Sequence, residues 1–117
     1  MAEIKIKNLL LRTEVGFNNH ELGKKHDLLL NITLEFDTQG EELTDDPTMA
    51  IDYKAICKKI IEVVENNRFN LIEAVAQKVL DVVLANPRVY KAGVEVDKPH
   101  ALRFADSVSV KLMQENR

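Results

Sequence analysis

The period of the hydrophobic pattern changes twice along this chain, from two to between three and four and back to two, and that order restricts the fold more than any other feature. In "EIKIKNLLLRTEV", Ile4 and Ile6 alternate with Lys5 and Lys7 before the run becomes continuously apolar, and in "DLLLNITLEF" Leu28, Leu30, Ile32 and Leu34 share one face. Both segments read as long strands. Between them "GFNNHELGKKH" carries Gly16, Asn18, Asn19 and Gly23, which is turn chemistry, so the two strands form an antiparallel hairpin with a long loop. The polar stretch "DTQGEELTDDPTM" is a connection with little regular structure. From Tyr53, residues Ile56, Ile60, Val63 and Val64 recur at helical spacing until "ENNRF" ends the helix. A second helix takes Asn70 as N-cap, sets Leu71, Val75, Val79 and Val82 on its inner face, and stops before Asn86-Pro87. "VYKAGVEVD" and "FADSVSVKL" then return to alternation. The ββααββ order predicts an α+β fold: a four-stranded antiparallel sheet with two helices on one face, in a single domain spanning 1–117.

A chain of 117 residues can close a core, but a deep pocket strains its means, so an enzyme of this length is expected to build its pocket between subunits. Hydrophobic content of 45% and charged content of 30% are those of an ordinary globular protein. The longest apolar run, "VLDVVLA", is broken by Asp81 and falls far short of the roughly 18 residues of a bilayer span; "MAEIKIKN" has no signal-peptide core, so a cytoplasmic protein with no membrane partner is expected. Cys57, the single cysteine, has no disulfide partner and reads as a small buried hydrophobe of the first helix. A net charge of −3 argues against a nucleic-acid partner, although Lys24, Lys25 and His26 make a local basic spot that either meets an anionic ligand or is a solvated turn.

Four side chains invite chemistry, each with a plainer alternative. Lys98 ends the strand "VEVDK", and Pro99, which has no N–H and biases its predecessor toward extended geometry, fixes the direction in which the lysine leaves. It is either a proton-transfer group or a lysine snorkelling at a strand end, and position alone favours the latter. Glu73 can accept two adjacent N–H donors of a 2-amino-4-oxo ring, yet Asn70-Leu71-Ile72-Glu73 also has the spacing of a capping box. Tyr53 can stack on a heterocycle or pass a proton; it can equally be packing. Glu21, flanked by His20 and His26, lies in the hairpin loop, where it matches no zinc spacing and reads as a solvated carboxylate, so no metal is expected.

Taken together, the hairpin loop "GFNNHELGKKHDLLLNI", the "IDYKAI" start of the first helix, "NNRFNLIEAVAQ" at the second and "VEVDKPHA" at the third strand resemble the dihydroneopterin aldolase family across the whole chain. The resemblance implies the tunnelling fold, rings of four subunits stacked in pairs as octamers, no cofactor, and a pterin substrate. It implies that Lys98 is the acid/base at the pterin ring, Glu73 the anchor of the ring N–H groups, Tyr53 a phenol near the side-chain hydroxyls supplied across a subunit boundary, and Glu21 the organiser of Lys98 and bound water. Ile51, Leu71 and Ile72, which lie in the matched segments, join the expected binding set.

Within the family, "VENNRF" and "DKPHALRFADSVSV" look most like the branch that inverts the second side-chain carbon of a dihydropterin triphosphate by retro-aldol cleavage and re-addition. The aldolase branch commonly has a glycine-bearing turn where this chain has Lys98-Pro99-His100-Ala101. The alternatives are aldolase chemistry with release of glycolaldehyde, and a pterin- or purine-binding module without catalysis. For a triphosphate, Arg103 and His100 are expected near the sheet edge that bears Lys98, with Lys24 and Lys25 as further contributors. The plainer reading of Arg103 is a surface pair with Asp97 or Asp106.

Overall fold

In a computed structural model, which describes residues 1–116, the alternating segments become β1 (Ala2–Val15), β2 (Lys25–Phe36), β4 (Val89–Pro99) and β5 (Ser107–Glu115), and the helical ones α2 (Tyr53–Glu65) and α3 (Ile72–Leu84). Neighbouring long strands pair antiparallel, β1 with β2, β2 with β4 and β4 with β5. Both long helices cover the same face, where Leu28, Leu30, Ile32, Leu34, Val94 and Val96 meet Ile60, Val64, Val75, Val79 and Val83 in one contiguous core. The α+β prediction holds.

The sheet has five strands rather than four. "ENNRF", read as the end of a helix, contains a two-residue strand β3 (Arg68–Phe69) that pairs parallel with Glu14 and Val15, giving the order β3-β1-β2-β4-β5. Two residues carry no periodicity, and their pairing is fixed by a long-range ion pair between Arg68 and Glu14. The Arg68 guanidinium holds the Glu14 carboxyl below its usual range.

The continuously apolar "NLLL" of β1 has a local cause. Three steps from Ile6 to Leu9 face two steps from Ile32 to Leu30, so β1 carries one extra residue at a bulge. Asn8 adopts φ 53°, and its backbone N–H and side-chain carbonyl exchange hydrogen bonds with the Asn31 side chain at 3.0 and 3.2 Å. The bulge switches parity: Ile4 and Ile6 turn inward before it, Leu9 and Leu11 after it.

Other expectations need correction. The 37–50 connection contains a one-turn helix, α1 (Glu41–Thr44), and a 3-10 turn at Pro47–Met49. Helix α3 starts one residue later than expected, so Leu71, not Asn70, is its N-cap; Leu71 is exposed, and Ala76, Leu80 and Leu84 join the buried face, with Val82 only half-buried. Cys57 is also half-buried. The last strand begins at Ser107 instead of Phe104, so β4 and β5 are joined by the longer loop 100–106.

Arg88 ties the 37–50 connection to β4. Its guanidinium donates to the Asp37 and Met49 carbonyls at 3.0 and 2.5 Å and to Glu41 Oε2 at 2.7 Å, and lies over the Phe36 ring. The bond from Arg88, joined by the backbone N–H groups of Gln39 and Glu41, brings the Glu41 carboxyl down from 4.5 to about 2. A carboxyl depressed in the fold stabilises it above its unfolded value, and that stabilisation is lost as pH falls toward its folded value. Glu41→Gln is therefore expected to lower the melting temperature at neutral pH, with the gap to the parent closing between pH 4.5 and about 2. Thermal melts across that window check it; a gap independent of pH would remove the ion pair from the account.

Candidate active site

The pairing registers bring the C-terminal ends of β1 and β4, the N-terminal ends of β2 and β5, and the start of α3 to one end of the sheet. Lys98, the penultimate residue of β4, sits there. Its ammonium donates to the Val15 carbonyl at 3.1 Å and to Glu21 Oε2, and both side chains of this ion pair are only 12% exposed. The snorkelling reading fails, because the ammonium turns into the protein and meets a charge there.

Glu21 closes the 3-10 turn Asn19–Glu21 of the hairpin loop, and its Oε1 accepts from the Asn18 side chain at 3.0 Å. The bond from Lys98, opposed by burial and aided by Asn18, leaves the Glu21 carboxyl below its ordinary range. Glu21 is thus an ionised partner of Lys98 rather than a solvated loop residue. Gly16 makes this possible: at φ 138° it occupies backbone space open to glycine, and a Cβ there would come within 2.5 Å of the Glu21 carboxylate.

Glu73 faces the pair across a cavity of about 300 Å³ whose walls include Val15, Phe17, Ile72, Val108 and Val110. With the helix starting at Ile72, Glu73 is the second residue of its first turn, and no side-chain cap bond forms at this terminus. Among the described residues its carboxylate has no hydrogen-bond partner, so the capping-box reading is overturned and the acceptor pair is free for a ligand. The adjoining helix N–H groups favour an anion at this position.

Arg68, which no motif singles out, fastens the elements that carry these groups. Besides pairing with Glu14, it donates to Asn70 Oδ1 at 2.7 Å and the Gly16 carbonyl at 3.0 Å, while Gly16 N–H bonds the Phe69 carbonyl at 3.0 Å. The start of α3 is thereby pinned to the end of β1 beneath Lys98. Asn70, expected as a cap, serves this clasp instead.

The structure thus gathers Lys98, Glu21, Glu73, Leu71 and Ile72 around one cavity. His100 lines an adjoining cavity that shares Lys98 and Glu21 with the first. Ile51 and Tyr53 stand apart, at a separate hollow beside Pro47 and Asp52, with Ile51 buried and Tyr53 exposed. Arg103 lies in the 100–106 loop with its guanidinium 5.4 Å from the centroid of the Phe104 ring, and it pairs with neither Asp97 nor Asp106. Among the described residues no three His, Cys, Asp or Glu side chains are placed to hold a metal ion, and no helix is long and apolar enough to cross a membrane.

The site is thus a free bidentate acceptor facing a lysine–carboxylate pair, on an α+β scaffold with helices on one face. The family model for dihydroneopterin aldolase matches residues 4–113, and the chain belongs to that family. It is 47% identical to a dihydroneopterin triphosphate 2'-epimerase of Pseudomonas aeruginosa, over 96% of this chain and 91% of that one. It is 43% identical to the protein of the same name from Escherichia coli, over 95% and 92%. The crystal structure of E. coli dihydroneopterin aldolase in complex with neopterin superimposes with a TM-score of 0.91 at 26% identity, covering 97% of this chain and 99% of that chain, which bears out the tunnelling fold.

Proposed function

We propose that this chain, acting as one domain of a ring-shaped oligomer, is an epimerase of dihydroneopterin triphosphate that inverts the second carbon of the substrate's side chain. The observation that carries the reading is the cavity in which the ionised Lys98–Glu21 pair faces the unpartnered Glu73 carboxylate. The identity of 43–47% to epimerases, against 26% to the superimposed aldolase, supports epimerisation as the outcome.

On this reading Glu73 accepts the adjacent amino and amide N–H groups of the pterin, which orients the ring's C=N bond and side chain toward Lys98. Breaking the bond between the first and second side-chain carbons sends its electron pair into that C=N bond, and the ring nitrogen takes a proton from the Lys98 ammonium. The hydroxyl on the second carbon gives up its proton to a base and becomes an aldehyde. Glu21 keeps Lys98 aimed before transfer and stabilises the water that can return its proton. When the aldehyde is retained, turns its other face and re-adds, the electrons and both protons return and only the configuration has changed. Its release instead would be the aldolase reaction.

Tyr53 and Ile51 enter this scheme from a neighbouring subunit, at the side-chain hydroxyls, since their hollow lies apart from Lys98 in the same chain. The shape of the protomer supports association. Its radius of gyration of 15.6 Å exceeds the roughly 13 Å of a compact chain of this length. Its 7440 Å² of accessible surface exceeds the roughly 6,500 Å² expected for this mass. Leu10 and Met113 are among the apolar side chains left exposed. This exposed surface supports the rings of four, stacked into an octamer, that the family resemblance implies. A triphosphate does not cross bilayers unaided, which supports a cytoplasmic reaction.

Incubating the purified protein with 7,8-dihydroneopterin triphosphate and resolving both stereoisomers tests the reading. Accumulation of the 2'-epimer with little glycolaldehyde is expected. Cleavage as the dominant outcome would assign the aldolase reaction, and binding without turnover a pterin-binding module.

A further inference from the structure

All three histidines of the chain, His20, His26 and His100, line one cavity of about 710 Å³, together with Lys25. It meets the Glu73 cavity at Lys98 and Glu21, which line both. The function proposed above, on which this inference rests, puts the ring at Glu73 and the reacting carbons at Lys98. The third side-chain carbon and its substituent must then continue past the Lys98–Glu21 pair, away from Glu73. We propose that the histidine-lined cavity holds the triphosphate tail, with Lys25, His20, His26 and His100 as donors.

Charge in the cavity wall favours an anion. The acidic groups there are already matched: Asp27 by Arg12 at 3.0 Å and Glu21 by Lys98. Lys25, which forms no ion pair among the described residues, is left as surplus positive charge. His26 lines the same wall, and its buried Nε2 has no hydrogen-bond partner among the described residues.

His100 supplies a third observation. It has φ 61°, the left-handed region that glycine occupies without strain and other residues occupy at a cost. An imidazole is nonetheless held at this turn, in the wall of the cavity and directly after Lys98-Pro99. Arg103, by contrast, lines neither cavity and stacks over Phe104. The phosphate role expected for Arg103 therefore passes to the hairpin loop and His100.

The test combines kinetics with direct binding. Lys25 and His100 are exposed, so Lys25→Ala and His100→Gly leave the core untouched. Each is expected to lower the ratio of kcat/KM for dihydroneopterin triphosphate to that for dihydroneopterin by about tenfold or more, the effect of one charge-assisted hydrogen bond. Each is also expected to weaken calorimetric binding of inorganic tripolyphosphate, with the parent's affinity falling as salt rises. Arg103→Ala should change neither readout. Parent-like ratios and tripolyphosphate binding in both variants, or losses confined to Arg103→Ala, would overturn the proposal. Should the parent turn over neither pterin while binding tripolyphosphate in a manner dependent on Lys25 and His100, the epimerase reading fails and the anion site stands. Turnover of both pterins without preference, and no tripolyphosphate binding, would leave the pterin reading and remove the site.

Discussion

Replacing Lys98 with alanine is expected to leave pterin binding largely in place while turnover falls roughly 10²- to 10⁴-fold, the usual worth of a positioned proton-transfer group. The geometry adds a complication. Lys98 and Glu21 are both mostly buried, so removing the ammonium strands a carboxylate, which destabilises the protein by about 3 kcal/mol, the lower end for a broken buried pair. Lys98→Ala combined with Glu21→Gln removes both charges and is expected to recover much of that stability without recovering turnover. The pair of variants separates chemistry from folding: single-turnover rates report the first and thermal melts the second. Turnover within tenfold of the parent in the double variant would assign the proton transfer elsewhere.

Glu73→Gln is the second large effect. The carboxylate is exposed, unpartnered and not a helix cap, so its replacement is expected to cost only the modest helix-dipole interaction, at most about 1 kcal/mol, and to leave melting nearly unchanged. Affinity is another matter. A carboxamide turns one of the two acceptors into a donor and sets N–H against N–H, which costs about 1 to 3 kcal/mol, or roughly 5- to 150-fold in Kd. Titration of a pterin into both proteins measures it. Equal affinities would show that the ring is held by some other group and would reopen the orientation of the whole substrate.

The same segment shows where sequence reasoning met its limit. Asn70 through Glu73 satisfies the pattern of a capping box, and Leu71, which has no side-chain acceptor, is the poorer N-cap by local pattern. Arg68 makes the choice by drawing Asn70 Oδ1 into the clasp with Gly16 and Glu14, far away in sequence. The bulge at Asn8 left only an apolar run as its trace, since it depends on Asn31 across the hairpin. Tyr53, for which the resemblance implied a role at the substrate, lines a hollow apart from Lys98 and Glu73.

What the sequence determined by itself is what local periodicity and turn chemistry encode: four long strands, two amphipathic helices, their order, and the direction in which Lys98-Pro99 leaves its strand. These follow from side-chain patterns over a few residues, where the backbone's own geometry decides which faces are buried. Only the tertiary structure decided that Lys98 turns inward to Glu21 and Val15, that Glu73 is left without a partner, and that three histidines scattered from position 20 to position 100 share one cavity. Contacts between residues tens of positions apart arise when the sheet register and the helix start are fixed together. No local pattern records them, because each partner's surroundings exist only after the chain has folded.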